Sequence, residues 1–190
     1  MNSRIARSSA LHQFFSRIAG LAEFYAVYAL GRVCGNMHVV RYLRNPNPRV
    51  TTRLMRAFGA AVGQNTTIKG RIFVDNVHGD ENSTGDFSHL IIGDNCFIGD
   101  GVFFDLADTI VIQDCAVIAG GAAFLTHAEC NRSNFLRRHF PRRCEGVVIG
   151  SRAWIGFNAT ILAGVNIGSN TAIGAQSLVL KDAEPKYVYA

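Results

Sequence analysis

Six histidines and five cysteines are the residues of this chain best suited to move protons or attack carbon. Two of the histidines stand where regular sequence gives way to irregular sequence. His127 follows a threonine at the mouth of a long polar segment, and His89 closes a shorter one. A neutral imidazole titrates near working pH, so it can take a proton from a hydroxyl or amine as that group attacks a carbonyl. The plain alternative for each is a polar residue at a loop mouth. His139 lies in an arginine-rich run and can touch a substrate there, while His12, His38 and His78 read as ordinary polar positions. The cysteines show no CxxC or zinc-ligand spacing, and no cluster of ligating residues proposes a metal. Cys96 and Cys115 are read as small core residues. Cys34, Cys130 and Cys144 are read as reduced thiols.

These candidates must be held by something, and the stretch Ile149 to Leu180 shows what it is. Written in sixes it runs IGSRAW, IGFNAT, ILAGVN, IGSNTA, IGAQSL, and VLKDAE follows. An aliphatic residue opens each line: Ile149, Ile155, Ile161, Ile167, Ile173 and Val179. The fifth place is small or β-branched throughout. A helix needs apolar recurrence near 3.6 and an alternating strand needs 2, so neither explains six. A hexapeptide β-helix does, because each short strand buries its first residue and turns a corner before the next. Gly and Asn at the corners tolerate backbone angles that a Cβ opposes.

Sixes begin at Val62, break over Asp80 to His89, and return at Ile92. The register slips by two residues at Ile110-Val111, which predicts a bulge or an enlarged corner, with Asp105 beside it. A long excursion then opens at His127. Its sequence AECNRSNFLRRHFPRRCEG carries many charges and Pro141, and it cannot lie on the lattice. A loop of this length in a regular solenoid is usually functional. The expected class is therefore mainly β: a parallel β-helix over residues 61–190 with an excursion at 127–147, preceded by a helical segment at 1–60. In that segment Thr51 or Thr52 is the expected N-cap of a short helix ending at Gly59.

With 190 residues, 48% of them hydrophobic, the chain can bury a sizeable core, hiding roughly 70% of its unfolded surface. The net charge of +5 is unevenly placed. Arg4, Arg7, Arg17, Arg32, Arg41, Arg44, Arg49, Arg53 and Arg56 crowd residues 1–60, where Glu23 is the only acid. Basic clusters call for anionic partners. Nucleic acid is set aside, because no binding motif accompanies the charge. The run from Ile18 to Leu30 is too short and too interrupted to span a bilayer. Glu23 inside it and the lack of an A-x-A site argue against a signal peptide, so a cytoplasmic setting is expected. The segment is read first as a helical cap on the main domain or a neighbouring subunit. The second reading is a basic amphipathic helix resting on the inner face of a membrane.

Taken together, the hexads, the long loop opening after Thr126-His127, the phrase AWIG (Ala153 to Gly156) and the closing IGAQSLVLKD (Ile173 to Asp182) resemble the hexapeptide-repeat acyltransferases. The likeness is to the maltose, galactoside and polysaccharide O-acetyltransferase branch, and it covers the chain from Val62 onward. It implies a left-handed β-helix, a homotrimer, and acetyl-CoA bound between subunits. His127 matches the family's catalytic histidine. Asp105 takes the place of an asparagine that holds the acceptor hydroxyl in sugar-acetylating relatives; a carboxylate there would orient His127 or favour a cationic acceptor. Trp154 matches the tryptophan lining the pantetheine channel. Gly156 admits close backbone approach, Ala175 matches a main-chain contact to pantetheine, and Lys181 matches a cation near the nucleotide phosphates. Asn131, Arg132 and His139, in the basic loop, are the expected acceptor contacts, with arginine pairs suited to a lipid-linked or nucleotide-linked sugar. The implied reaction is O-acetylation of a sugar hydroxyl in surface polysaccharide or glycoconjugate assembly. Alternatives are an amino-sugar N-acetyltransferase, a xenobiotic acetyltransferase, a metal-dependent hexapeptide carbonic anhydrase and a non-enzymatic β-helix scaffold.

Overall fold

Hexads dictate a three-sided coil, and the computed structural model has one. It describes the backbone of residues 2–130 and 133–190, with side chains from residue 15 onward in those spans. Three flat parallel sheets form the faces of a prism. The first stacks Ala61–Val62, Leu90–Ile92, Ile110–Ile112, Val147–Ile149 and Asn166–Ile167. The second stacks Thr67–Ile68, Phe97–Ile98, Val117–Ile118, Trp154–Ile155, Ala172–Ile173 and Val188–Tyr189. The third stacks Ile72–Asp75, Val102–Asp105, Ala123–Phe124, Thr160–Ile161 and Leu178–Val179. The chain visits the faces in that order in each coil, and the coils are those of a left-handed β-helix.

Register puts like on like inside the prism. Val62, Ile92, Ile112, Ile149 and Ile167 form one internal ladder, and Ile68, Ile98, Ile118, Ile155 and Ile173 form a second. On the third face Phe104 and Phe124 stack with centroids 5.5 Å apart. Nearly all of these side chains are fully buried. Each contributes about 1.5–3 kcal/mol through removal from water. The fifth-place residues Cys96, Ala116, Ala153, Ala159, Val165 and Thr171 fill the corners between them. Cys115 does not join them: it occupies the fourth place of its hexad, is exposed, and has φ +60°. Ala116 takes the inward position instead.

The unusual backbone angles fall at this fourth place. Asn65, Asn95, Asn158 and Asn170 have positive φ there, as do Gly101, Gly121 and Gly164. Second-place glycines answer a different need. A Cβ on Gly150 would lie 2.5 Å from the Ser169 nitrogen and 2.7 Å from the Gly168 carbon, because the next coil passes directly over it. Backbone cannot swing aside as a side-chain tip can, so Gly150→Ala is expected to cost about 1–3 kcal/mol. A thermal melt checks this; an unchanged midpoint would mean that the coils separate more readily than their hydrogen bonds suggest.

Three helices close the N-terminal end: α1 (Asn2–Cys34), α2 (Met37–Tyr42) and α3 (Pro48–Ala57). The cap of α3 is Asn47, whose side chain accepts from the Arg49 N–H, not Thr51 or Thr52. Pro48 explains the earlier start, since its fixed φ suits a first helical position and its missing N–H is not needed there. Leu43, Leu54 and Met55 are fully buried beneath the helices. The Arg56 guanidinium donates to the Val62 and Gly63 carbonyls at 2.8 and 2.7 Å, tying α3 to the first coil. Glu23, the lone acid of the apolar run, accepts from the Tyr42 hydroxyl and the Asn47 amide, both at 2.8 Å. It thereby fastens α1 to the α2–α3 turn. Burial, with Glu23 alongside, pushes the Tyr42 hydroxyl up to about 12.

Candidate active site

The third face ends in Asp75 on one coil and Asp105 on the next, paired in register. Where the hexad count slips by two, the chain makes an enlarged corner from Asp105 to Thr109, with Leu106 and Ala107 buried in it. This corner draws Asp105 inward, and its side chain is 1% exposed. One coil on, the strand Ala123–Phe124 leads through buried Thr126 to His127, on the same edge of the prism. The imidazole is a quarter exposed.

Asp105 is saturated with donors. Its Oδ2 accepts from the Thr126 N–H at 2.8 Å, the His127 N–H at 3.0 Å and His127 Nδ1 at 2.6 Å. Its Oδ1 accepts from the Asn76 side-chain amide at 2.6 Å and the Ala107 N–H at 3.3 Å. Burial alone would raise this carboxyl's pKa. The hydrogen bonds from Asn76, His127 and Thr126 outweigh it and hold the group below the usual carboxylate range. An ionised carboxylate against Nδ1 fixes the tautomer: the proton sits on Nδ1, leaving the Nε2 lone pair for a substrate. Of the two expectations for Asp105, its burial and its contact with His127 Nδ1 fit the orienting one.

Asn76 is the member of this group that sequence reasoning missed. It lies one residue beyond Asp75, with φ +54°, and its amide nitrogen is 3.4 Å from His127 Nδ1. The signal was there in the hexad VDNVHG, where an Asn follows the residue that pairs with Asp105. The pairing itself could not be read.

Two excursions border the pair. The first follows Asn76, and the second runs from His127 through a short helix, Leu136–His139, to the antiparallel return Arg143–Cys144. Arg142 joins them, donating to Asp80 at 2.6 Å and Glu81 at 2.7 Å, with Glu129 at 3.6 Å. Arg143 pairs with Glu145. Of the loop's two arginine pairs, then, Arg142 and Arg143 are engaged within the chain, while Arg137 and Arg138 are exposed. Cys144 faces His127 across the return, but burial raises its pKa and its thiol contacts the Ala107 carbonyl. It is held as a thiol, the unreactive form.

The other expected site residues fall in separate places. His139 is exposed, with its ring 4.9 Å from that of Phe135, and lines a hollow with Glu129, Phe140, Pro141 and Arg143. Asn131 and Arg132 lie outside the described residues. The rival His89 bonds the Leu106 carbonyl through Nδ1 at 3.0 Å, bracing the enlarged corner. Trp154 is half exposed on the second face, beside Val117 and Ala172. Gly156 and Ala175 stack on the edge between second and third faces. The Ala175 N–H donates to no other backbone group among the described residues. Lys181 is exposed after the third face, on the edge that carries His127 two coils earlier. The structure thus gathers Asp105, His127, Thr126 and Asn76, and sets Trp154, Gly156 and Ala175 on a different edge. Among the described residues no three His, Cys, Asp or Glu side chains converge to hold a metal ion.

Comparison with known proteins bears on the repeat and the fold. Residues 146–181 match the bacterial transferase hexapeptide (six repeats) family model. An Escherichia coli K12 protein named for acetyl transfer in colanic acid biosynthesis is 28% identical over 128 residues, 67% of this chain and 63% of its own. The galactoside O-acetyltransferase of the same strain is 31% identical over 141 residues, 72% of this chain and 62% of its own. The chain thus spans less than two thirds of these relatives. The crystal structure of a maltose O-acetyltransferase from Clostridium difficile 630 superposes with a TM-score of 0.65 and 25% identity, covering 78% of this chain and 75% of that one. In repeat, fold and sequence, the chain resembles the hexapeptide-repeat acyltransferases, and its likeness is to the maltose, galactoside and polysaccharide O-acetyltransferase branch.

Proposed function

We propose that the protein transfers acetyl from acetyl-CoA to a sugar hydroxyl, with His127 as general base. The observation that carries this reading is the buried, ionised Asp105 held 2.6 Å from His127 Nδ1, which leaves Nε2 for the acceptor. Nε2 takes the hydroxyl proton as the oxygen attacks the thioester carbon. The tetrahedral intermediate then breaks its C–S bond, and the imidazolium returns the proton to the departing sulfur. One C–O bond forms, one C–S bond breaks, and no enzyme-bound acyl group is needed. An amine acceptor would be favoured by an ammonium paired with Asp105, and the burial of that carboxylate against His127 supports the hydroxyl reading instead.

Separate edges for Trp154 and His127 support a site shared between subunits of a homotrimer. One subunit would offer the pantetheine contacts Trp154, Gly156 and Ala175, and its neighbour the base. The outward apolar row Val117, Trp154 and Val188 on the second face supports burial against a partner. Lys181 would meet a nucleotide phosphate. Relatives named for galactoside and colanic acid acetylation support a sugar in surface polysaccharide assembly. Exposed Phe135, Arg137, Arg138, His139 and Phe140 suit a sugar bearing an anionic group. CoA as donor sets the reaction in the cytoplasm.

The reading is tested by thermal protection. CoA at 100 times its dissociation constant should stabilise the trimer by about 2.7 kcal/mol. Trp154→Ala should weaken CoA binding by roughly tenfold in a variant that still folds, which its melt without ligand checks. No protection by CoA, with no thiol release from acetyl-CoA for any sugar or nucleotide sugar, would leave a β-helix scaffold.

A further inference from the structure

We propose that the outer face of α1 docks on an anionic phospholipid surface. The observation is that α1 is apolar on two opposite sides. Phe24 is buried towards α2 and α3, with Val27 and Tyr28 partly buried beside it. At 100° per residue, Ile18, Ala22, Tyr25, Ala29 and Val33 project the other way. Ile18 is 49% exposed, Tyr25 55% and Val33 83%. No charged residue falls on that line between them. A helix that is apolar on two sides normally buries both, and this one is covered on one. The strip from Ile18 to Val33 is about 22 Å long at 1.5 Å per residue.

Charge identifies what covers it. Residues 1–60 hold nine arginines and one acid, and that acid, Glu23, is engaged by Tyr42 and Asn47. The segment is therefore +8, and the remainder of the chain −3, against +5 overall. Arg17, Arg49 and Arg53 ring a hollow between α1 and α3 that also includes Leu21 and Phe24. The Arg53 guanidinium lies 3.9 Å from the Phe24 centroid and 5.4 Å from that of Tyr25, at the margin of the exposed strip. Apolar side chains flanked by arginines are the pattern of a helix lying in a headgroup layer. A second copy of the same cap would bring +8 against +8, whereas an anionic bilayer supplies the opposite charge. Among the described residues no helix is long and apolar enough to cross a membrane, so the contact is one of lying on the surface. Vesicle binding is read on the protein alone and does not depend on the acetyl-transfer reading.

The test sediments the full chain with phosphatidylcholine vesicles, alone and with about one third phosphatidylglycerol. Binding is expected to the anionic vesicles only, weakening as salt is raised. Ile18→Glu with Tyr25→Glu should abolish it. Arg17→Ala with Arg49→Ala should lower the partition coefficient by about fivefold per arginine. Melts of each variant show whether the fold is intact; if the glutamate pair fails to fold, the arginine pair decides. Equal binding to neutral and anionic vesicles would overturn the proposal, as would a folded wild type that binds neither. If wild type binds neither and the glutamate pair lowers the mass in light scattering, the face belongs to a second copy.

Discussion

Replacing His127 with alanine should lower acceptor-dependent thiol release from acetyl-CoA by about 10²–10⁴-fold, the usual contribution of a positioned general base. The melt should fall, though by less than in a variant of Asp105 itself, because the imidazole is one of several donors to the buried carboxylate. Protection by CoA should persist, since the expected pantetheine contacts stand on another edge of the prism. That combination separates loss of the base from loss of the site. Full turnover in His127→Ala would remove the histidine from the mechanism. Turnover lost instead in His89→Ala, with the melt intact, would move the base to His89. The geometry favours His127, because His89 Nδ1 is bonded to the Leu106 carbonyl and, among the described residues, no hydrogen bond between its ring and a carboxylate is seen.

Asp105→Asn should be nearly as damaging, by a different route. In serine proteases, the same exchange behind a histidine base costs about 10⁴ in kcat through the wrong tautomer. Here all the named contacts to Asp105 come from donors, so an amide must turn its NH2 towards one of them. A fall in kcat of about 10²–10⁴-fold is expected with little change in KM for acetyl-CoA. Stability should fall as well, by about 3–5 kcal/mol for a broken buried charge network. The pH dependence distinguishes the two effects. The folded carboxyl titrates below its unfolded value of about 3.9, so its stabilisation is fully present above that pH and is lost as pH falls through the folded value. The melting gap between wild type and Asp105→Asn should therefore be constant above about pH 5 and narrow below pH 4. A gap unchanged into acid would mean that the carboxylate is not the stabilising form. Normal kcat in the variant would reduce Asp105 to a structural residue.

Much of this was legible in the residues themselves. A period of six is local information: it repeats within each turn, so Ile149, Ile155, Ile161, Ile167 and Ile173 announced the prism before any contact was known. The slip at Ile110-Val111 marked the enlarged corner, and the end of the lattice marked His127, because departures from a strict repeat are as local as the repeat. Local reading also has its limits. It placed Cys115 in the core by misjudging its place in the hexad, and it passed over Asn47 and Pro48 as the start of α3. It read the corner angles at Gly101, Gly121 and Gly164 correctly but not the need of second-place glycines such as Gly150, which is set by the coil above.

The tertiary structure decided what depends on neighbours far apart in the chain. Asp105 meets Asn76 from the preceding coil and His127 from the following one, and only stacking in register brings the three together. Burial then placed an aspartate with two open readings against His127 Nδ1, the arrangement from which its proposed orienting role is argued. The same stacking put Trp154 and His127 on different edges, which composition and spacing do not reveal. Glu23, an interruption in an apolar run when read along the chain, became a fastening once α2 and α3 folded over it. The sequence by itself determined the repeat, because the repeat is the backbone's own period. Which polar groups share a dry corner was left to the fold, because hydrogen-bonded burial depends on partners that sequence distance does not encode.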